Sequence, residues 1–381
     1  MKYCSIFCLM TMLIFSSCSH KPSTDSEEGS RTGFSMNFFR NVLEISAKDE
    51  NVSISPYSAG VALSMLASGA EGETLAELES ALNHCRFVRE DLGSNDSVII
   101  SSANALWMNR NFPAKKTYVK LLSDDFDAYS ASLDFSSPGA LDKINQWCSD
   151  NTHGRIPKAL DELDADMVAV LTNALYFKGL WYYPFNKELT RKDDFHGSLK
   201  TSKVEFMEQK QKFEYASFEG NQVVRLPYAE GRYAMTILLP SADIKMSEVT
   251  EYITEEGYNQ LLSQLRTEDV VVRMPKFKVE KSLLLNSVLQ NMGASKVFTR
   301  SAELGGITDA DVLVSEVNQK TFVEINEKGA EAAAVTTIGV RLTAIRPVEP
   351  VYYMTIDRPF FYLISDVENG NILFAGRIMN L

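Results

Sequence analysis

The side chains that most often carry out chemistry are few in this sequence and poorly spaced for it. The four histidines are His20, His84, His153 and His196, and none stands at metal-ligand spacing from another histidine or from a cysteine. No G-x-S-x-G elbow, no P-loop and no H-E-x-x-H pair is present. Asp and Glu are abundant, but no spacing singles out two of them for acid–base work. Each histidine therefore reads as a polar residue on a helix or loop. Of the five cysteines, Cys4, Cys8 and Cys18 precede the folded part, and Cys85 and Cys148 are too far apart for a disulfide framework or a zinc site. The residues predict no enzyme, no metal and no bound cofactor.

One stretch has a pattern with a use. Residues 327–340 (EKGAEAAAVTTIGV) are small, uncharged after Glu331 and free of proline. Ala332, Ala333 and Ala334 favour helix, whereas residues 335–338 favour strand. Taken as a strand, the even positions are Ala330, Ala332, Ala334, Thr336, Ile338 and Val340. The odd positions are Glu331, Ala333, Val335, Thr337, Gly339 and Arg341, and they hold all of the charge. Such a strand buries its even face at no ionic cost and leaves Glu331 and Arg341 in water. Gly329, just upstream, supplies a hinge because it adopts backbone angles that other residues avoid. Residues 341–350 (RLTAIRPVEP) read as an exposed loop. For the stretch taken alone, an ordinary alanine-rich helix or strand is the plain alternative.

The surrounding elements read as helices first and strands later. Phe34, Phe38, Val42 and Ile45 share one face of a helix over residues 34–47. Ser55 and Pro56 open a second helix carrying Val61, Met65 and Leu66, which Gly69 and Gly72 break. A short helix follows over residues 74–82 and another over 140–150. Strands are predicted at 98–108, 203–207, 222–228, 232–240, 269–280 and 313–326. Residues 168–177 (VAVLTNALYF) are continuously apolar, as in a strand covered on both faces. A helix is expected over 283–292, stopped by Gly293. At the carboxyl end, residues 360–365 and 372–378 form a hairpin, and Asn369-Gly370 suits the two positive φ values of a type I′ turn. With no βαβ alternation and no internal linker, the class is α+β in one domain.

Composition narrows the partners. Hydrophobic residues make up 45% of the 381, enough for a large core, and the net charge is −12 with no basic run. Nucleic acid is excluded as a partner, because it needs clustered Lys and Arg, and a heparin-type cofactor is disfavoured for the same reason. Lys2 is followed by an apolar run, residues 6–15, of signal-peptide length and too short to span a membrane. The run ends in Phe15, Ser16, Ser17 and Cys18, which resembles the lipobox of bacterial lipoproteins. On this reading residues 1–17 are a lipoprotein signal peptide, Cys18 is lipidated, residues 18–33 are a flexible tether and residues 34–381 are the folded domain. The chain is then exported to the outer membrane or cell surface, facing periplasm or exterior, and meets the membrane only through its anchor. A plain secretory signal with an incidental Cys18 is the alternative.

Longer blocks carry a family resemblance. EINEKGAEAAAVT (324–336) closely resembles the hinge of inhibitory serpins, in which Glu, Gly and small residues precede a reactive loop. NVSISPYSAGVALSMLASGAEGET (51–74), INQWCSDNTHGRIPK (144–158), LTNALYFKGLW (171–181), VEFMEQ (204–209), LPYAEGRYAMTILLP (226–240), MPKF (274–277) and DRPFFYLISDVENGNILFAGRI (357–378) resemble further serpin blocks, in serpin order. The resemblance implies about eight or nine helices, three β-sheets and an exposed reactive loop over about residues 327–350. It implies a suicide inhibitor of serine, or cysteine, endopeptidases. The protease forms an acyl-enzyme with the loop, and the cut hinge inserts into the central sheet and distorts the protease.

The resemblance also assigns residues. Glu327, Gly329, Ala330, Glu331, Ala332, Ala333, Ala334 and Val335 match the hinge. Ser53, Ser55, Asn173 and Gln319 match the shutter beneath the parting sheet, with Gln319 where many members have His. Ser55 is equally read as a helix cap. Trp181 matches the breach, where insertion begins, and Lys276 and Glu327 match an ion pair at that end. Counting sixteen positions on from Glu327 places the scissile bond at Thr343–Ala344, with Arg341, Leu342 and Arg346 as alternatives. Small uncharged residues there suit an elastase-like or subtilisin-like protease acting on a monomer. A non-inhibitory serpin, serving as a binding module or chaperone, is the second reading. An envelope hydrolase or solute-binding lipoprotein is the third.

Overall fold

A computed structural model of the chain describes residues 29–329 and 350–381. Cys18 and residues 1–17, read above as a signal peptide, lie outside the described residues, as does the stretch 330–349 with Ala330, Glu331, Ala332, Ala333, Ala334, Val335, Arg341, Leu342, Thr343, Ala344 and Arg346.

The fold opens with α1 (Arg31–Ile45), β1 (Val52–Ile54), α2 (Pro56–Ala67) and α3 (Gly72–Ala81). Ser30 caps α1 by accepting from the Gly33 N–H, so residues 31–33, expected above in a tether, belong to the helix. Phe34, Phe38 and Val42 are buried along one stripe, but Ile45, read as part of it, is exposed where the last turn runs past the core. At α2 the expected start holds: Pro56 occupies the first turn and the Ser55 hydroxyl accepts from the Ser58 N–H. The break after α2 also holds, although Gly72 begins α3 rather than preceding it.

Next come β2 (Val98–Asn109), α4 (Lys116–Phe126), β3 (Tyr129–Leu133), α5 (Gly139–Asn151) and β4 (Ala169–Gly179). The chain continues through β5 (Arg191–His196), β6 (Thr201–Phe218), β7 (Asn221–Pro227), β8 (Tyr233–Leu239), α6 (Glu255–Gln264), β9 (Arg266–Pro275) and β10 (Phe277–Leu284). It closes with α7 (Asn286–Asn291), β11 (Glu316–Ile325), β12 (Val351–Thr355), β13 (Phe360–Asp366) and β14 (Ile372–Ile378). The single strand expected over 269–280 is two strands in different sheets, because the chain turns between β9 and β10 at Lys276, whose N–H donates to the Glu205 carbonyl. The helix expected over 283–292 is shorter, since β10 claims Leu283 and Leu284. The β13–β14 connection is not a two-residue type I′ turn. Only Gly370 has a positive φ, at 75°, and its N–H reaches back to the Asp366 carbonyl across a longer loop.

A five-stranded sheet runs β10-β11-β4-β2-β3, and a nine-stranded one runs β1-β14-β13-β8-β7-β6-β9-β12 with β5 paired to β6. The three sheets implied by the resemblance are thus two continuous ones among the described residues. The 18-residue β6 joins the others by pairing with β5, β7 and β9 along its length. Seven α-helices and four short 3-10 turns are described. Helix α2 packs against β14 of one sheet and β4 of the other. Strand β4 is covered on both faces, as its largely apolar run predicts. Leu171, Leu175 and Phe177 join the main core, while Val170, Ala174 and Tyr176 lie under α5 with Ile144 and Cys148. Burial pushes the Cys148 thiol up to about 12, so it is an inert packing residue.

The close fit of α2 has a testable cost. A Cβ built on Gly60 meets the Phe87 ring at 2.6 Å. Gly60→Ala is expected to lower stability by about 1–3 kcal/mol through overpacking, despite alanine's better helix propensity. A urea unfolding midpoint equal to or above that of the parent would refute this account of the α2 contact.

Candidate functional site

Of the residues singled out above, the line between β4 and β11 gathers Ser53, Ser55, Asn173, Trp181, Lys276, Gln319, Glu327 and Gly329. The two strands are parallel neighbours, in register from Glu316 opposite Val170 to Phe322 opposite Tyr176. Their hydrogen-bonded ladder is the seam of the five-stranded sheet. The stretch 330–349 leaves from β11 and returns at β12, which belongs to the other sheet.

Below the middle of the seam lies a buried polar cluster built on the first turn of α2. The Gln319 side-chain amide clamps the backbone of Ser55 at two points: Oε1 accepts from the Ser55 N–H at 2.9 Å and Nε2 donates to the Ser55 carbonyl at 2.8 Å. From β4, Asn173 Nδ2 donates to the Ser58 carbonyl at 3.0 Å and to Asn104 Oδ1. Its Oδ1 accepts from the Ser58 hydroxyl and, at 3.4 Å, from Gln319 Nε2. Ser53 joins through Tyr362, whose hydroxyl donates to Ser53 Oγ at 2.8 Å, and through Thr321, which donates to the Ser53 carbonyl at 2.9 Å. Each amide in the cluster is satisfied, as a buried polar group must be. Ser53, Ser55, Asn173 and Gln319 are thus brought together. The Ser55 hydroxyl serves α2 as its cap, and the backbone of Ser55 is what meets the sheet.

At the end of the seam where β11 finishes, a second set of contacts closes it. Leu180 forms an isolated antiparallel bridge with Gly329. The N–H of Trp181 donates to the Lys328 carbonyl at 3.0 Å, the N–H of Phe185 to the Glu327 carbonyl at 2.8 Å, and the Trp181 indole to the Asn326 carbonyl at 2.9 Å. Trp181 is buried and lies flat on Tyr228, with ring centroids 4.4 Å apart. Gly329 has φ +116°, and a Cβ there would come within 2.0 Å of the Gly179 carbonyl oxygen. Only glycine lets the chain cross the end of β4 this closely.

Charge is concentrated at the same end. Lys276 Nζ lies 3.3 Å from Glu327 Oε1 and 3.1 Å from Glu205 Oε2. The Thr190 hydroxyl donates to Glu327 Oε1 at 2.9 Å. Burial alone would raise the Glu327 carboxyl, but hydrogen bonds from its own N–H and from Thr190, together with Lys276, more than offset it and hold the group below its ordinary range. For Lys276, burial works against the charge and the two carboxylates overcome it, leaving its pKa raised. Tyr228, Tyr362, Ser58, Asn104, Thr190 and Thr321 complete these clusters and were not singled out from sequence. Ser58 could have been found, because it follows the Ser55 cap at the spacing of a first helical turn.

Two outcomes follow. Gln319→Leu leaves the buried Ser55 N–H without its partner and the Ser55 carbonyl with only the Ala59 N–H, and stability is expected to fall by about 1–3 kcal/mol, read as a lower urea midpoint. The depressed Glu327 carboxyl contributes stability that is present above its unfolded value of 4.5 and lost as pH falls through the lower folded value. Melting temperature should therefore drop more steeply below pH 4.5 in the parent than in Glu327→Gln, and parallel profiles would count against the contact.

Comparison with known proteins gives one answer from three directions. The family described as serpin (serine protease inhibitor) matches residues 30–381. Iripin-1 of the tick Ixodes ricinus is 33% identical over 357 residues, covering 88% of this chain and 90% of its own. A serpin-like protein of Thermococcus kodakarensis is 32% identical, over 88% and 82%. Among solved structures, the thermophilic serpin tengpin in its native state matches with a TM-score of 0.83 and 28% identity, over 92% of this chain and 93% of that one. Arabidopsis AtSerpin1, in a native stressed conformation, matches at 0.82 and 27%, over 92% and 96%. With the shared fold and the match along nearly its whole described length, the chain belongs to the serpin family.

Proposed function

We propose that the chain is a suicide inhibitor of serine endopeptidases, with elastase-like or subtilisin-like enzymes as its targets and cysteine endopeptidases as a lesser class. The observation that supports this best is the parallel contact between β4 and β11. A strand entering between them from the hinge runs antiparallel to both, so one parallel ladder is exchanged for two antiparallel ones. Antiparallel pairing is slightly more stable per residue, and the entering strand also gains its own backbone hydrogen bonds. The native arrangement is then not the lowest in free energy, and cleavage of the loop releases the difference.

The sequence of the loop fits that route. Ala330, Ala332, Ala334, Thr336, Ile338 and Val340 offer a small, uncharged face, and Gly329 supplies the turn at which the strand folds back. Cleavage at Thr343–Ala344 leaves a segment long enough to fill the seam, since β4 has 11 residues and an equal run from Ala330 ends at Val340. Cleavage after Arg341 leaves almost nothing to spare. Export through a signal peptide, lipidation at Cys18 and display on the envelope by a short tether are part of the same proposal. They rest on the apolar run and the Ser16-Ser17-Cys18 ending.

Incubation with an elastase-like protease is expected to yield a covalent complex that survives boiling in detergent, and mass spectrometry of the released peptide should begin at Ala344. Ala330→Arg or Ala332→Arg should convert the protein into a substrate, because a charge on the entering face cannot be buried. If both variants inhibit as well as the parent, insertion is not the mechanism. Loop cleavage that brings no rise in melting temperature would favour the non-inhibitory reading.

A further inference from the structure

The seam between β4 and β11 is also fastened at its far end, opposite the hinge. Ser315, the residue before β11, uses all of its polar groups there. Its N–H donates to the Ala169 carbonyl at 2.9 Å, and its Oγ accepts from the Val168 N–H at 2.9 Å. Its carbonyl accepts from Asn286 Nδ2 at 2.8 Å. Asn286 Oδ1 in turn accepts from the Val317 N–H at 3.0 Å, so one side-chain amide grips β11 on either side of Glu316. Ser315 therefore straddles the seam. Its carbonyl side is held to α7, and its N–H and hydroxyl hold the start of β4.

We infer that Ser315 is a positioning residue, a terminal latch that must release Val168 before a strand can fill the seam to its end. This rests on the inhibitory reading above. The β4 strand spans 11 residues, about 36 Å at strand rise, and the hinge contacts lie at its other end. A strand entering at the hinge can part the upper seam while the Ser315 contacts persist. Residues near Val340 and Arg341 reach this end last, and they are the ones nearest the acylated residue. The latch therefore bears on the final part of protease displacement and not on recognition or on the acylation step. The two contacts across the seam also differ in kind. The Ser315 N–H bond is backbone and survives substitution by any residue but proline, whereas the Oγ bond is removed by deleting a single oxygen.

Ser315→Ala deletes that bond and leaves the Val168 N–H unpaired in the native state only. Two measurements test the latch. In quenched-flow gels with an elastase-like protease, the limiting rate of complex formation should rise about fivefold, the equivalent of one hydrogen bond, with the stoichiometry of inhibition moving toward one. The rate of loop cleavage should not change. Without a protease, a synthetic peptide of residues 330–340 should anneal to Ser315→Ala about fivefold faster than to the parent. Asn286→Ala is the control for general loosening. It frees β11 from α7 without touching the Val168 bond, so it should lower the melting temperature and leave the stoichiometry unchanged. Equal annealing rates for Ser315→Ala and the parent overturn the latch, as does an Asn286→Ala variant that accelerates as much. If the parent gives no covalent complex with any protease yet anneals the peptide, and Ser315→Ala anneals it faster, the latch stands and the inhibitory reading falls.

Discussion

Two parallel strands held side by side are the constraint on which the rest of the molecule turns. Parallel neighbours cannot be joined by a tight turn. Here the connection from β4 to β11 takes in residues 180–315, including most of the other sheet. The contact is therefore made between two parts of the chain with little local bond to each other. On one side stand β2, β3 and β4 with α5 over them. On the other stand β10 and β11 with α7 at their foot. What keeps these parts in register is the seam itself and the fastenings at its middle and two ends.

The middle fastening is divided in a way that matters energetically. Gln319 is tied to Ser55 and Asn173 to Ser58, so each strand has its own attachment to the first turn of α2. Only the 3.4 Å approach of Gln319 Nε2 to Asn173 Oδ1 joins the two directly. If the strands part, each amide keeps its stronger partners. A buried polar cluster shared outright between the strands would have to be broken group by group, at a cost of about 1–3 kcal/mol for each group left unpaired. Helix α2, with both sheets packed against it, is thus a common post for two parts that remain separately anchored. The ends of the seam are fastened differently. Where β11 finishes, the contacts are mostly backbone bonds to Leu180, Trp181 and Phe185, backed by Trp181 on Tyr228 and by Lys276 at Glu327.

Much of this was legible in the sequence, for reasons that can be named. The double-sided burial of β4 was written in an apolar run broken only at Thr172 and Asn173, and the start of α2 in Ser55-Pro56. The α+β class followed from helices preceding strands. The resemblance along residues 51–378 supplied the family. What escaped was set by long-range contact. Helices α4 and α6 have mixed polar faces that meet the core through few residues, Tyr118, Leu122 and Phe126 in one and Tyr258 and Leu261 in the other. The edge strands β3, β5 and β12 are short or largely polar. The Asn369-Gly370 pair carried a real turn signal but the wrong turn, because the Asp366 carboxylate and the Arg232 guanidinium fix the loop from outside it. At the site, Asn173 and Gln319 could be named by resemblance. That they grip a helix turn mainly through its backbone, and each other only at 3.4 Å, depends on residues more than a hundred positions away.

On the proposed inhibitory route, the cover that α5 gives the sheet also accounts for the composition of residues 330–341. A strand beside β4 has one face toward the main core and the other toward the layer holding Val170, Ala174, Tyr176, Ile144 and Cys148. Neither layer admits a charge in its middle. In residues 330–341 the charges are Glu331 and Arg341, one position from the start and at the finish. The odd positions between them, Ala333, Val335, Thr337 and Gly339, are as small and uncharged as the even ones. A surface strand with one wet face needs no such restraint on its outer positions, and alternation alone would have allowed Lys or Glu at each of them. A segment uncharged on both faces through its middle, with ions only near its two ends, has the composition of a strand meant for a site covered from both sides. The seam between β4 and β11 is such a site.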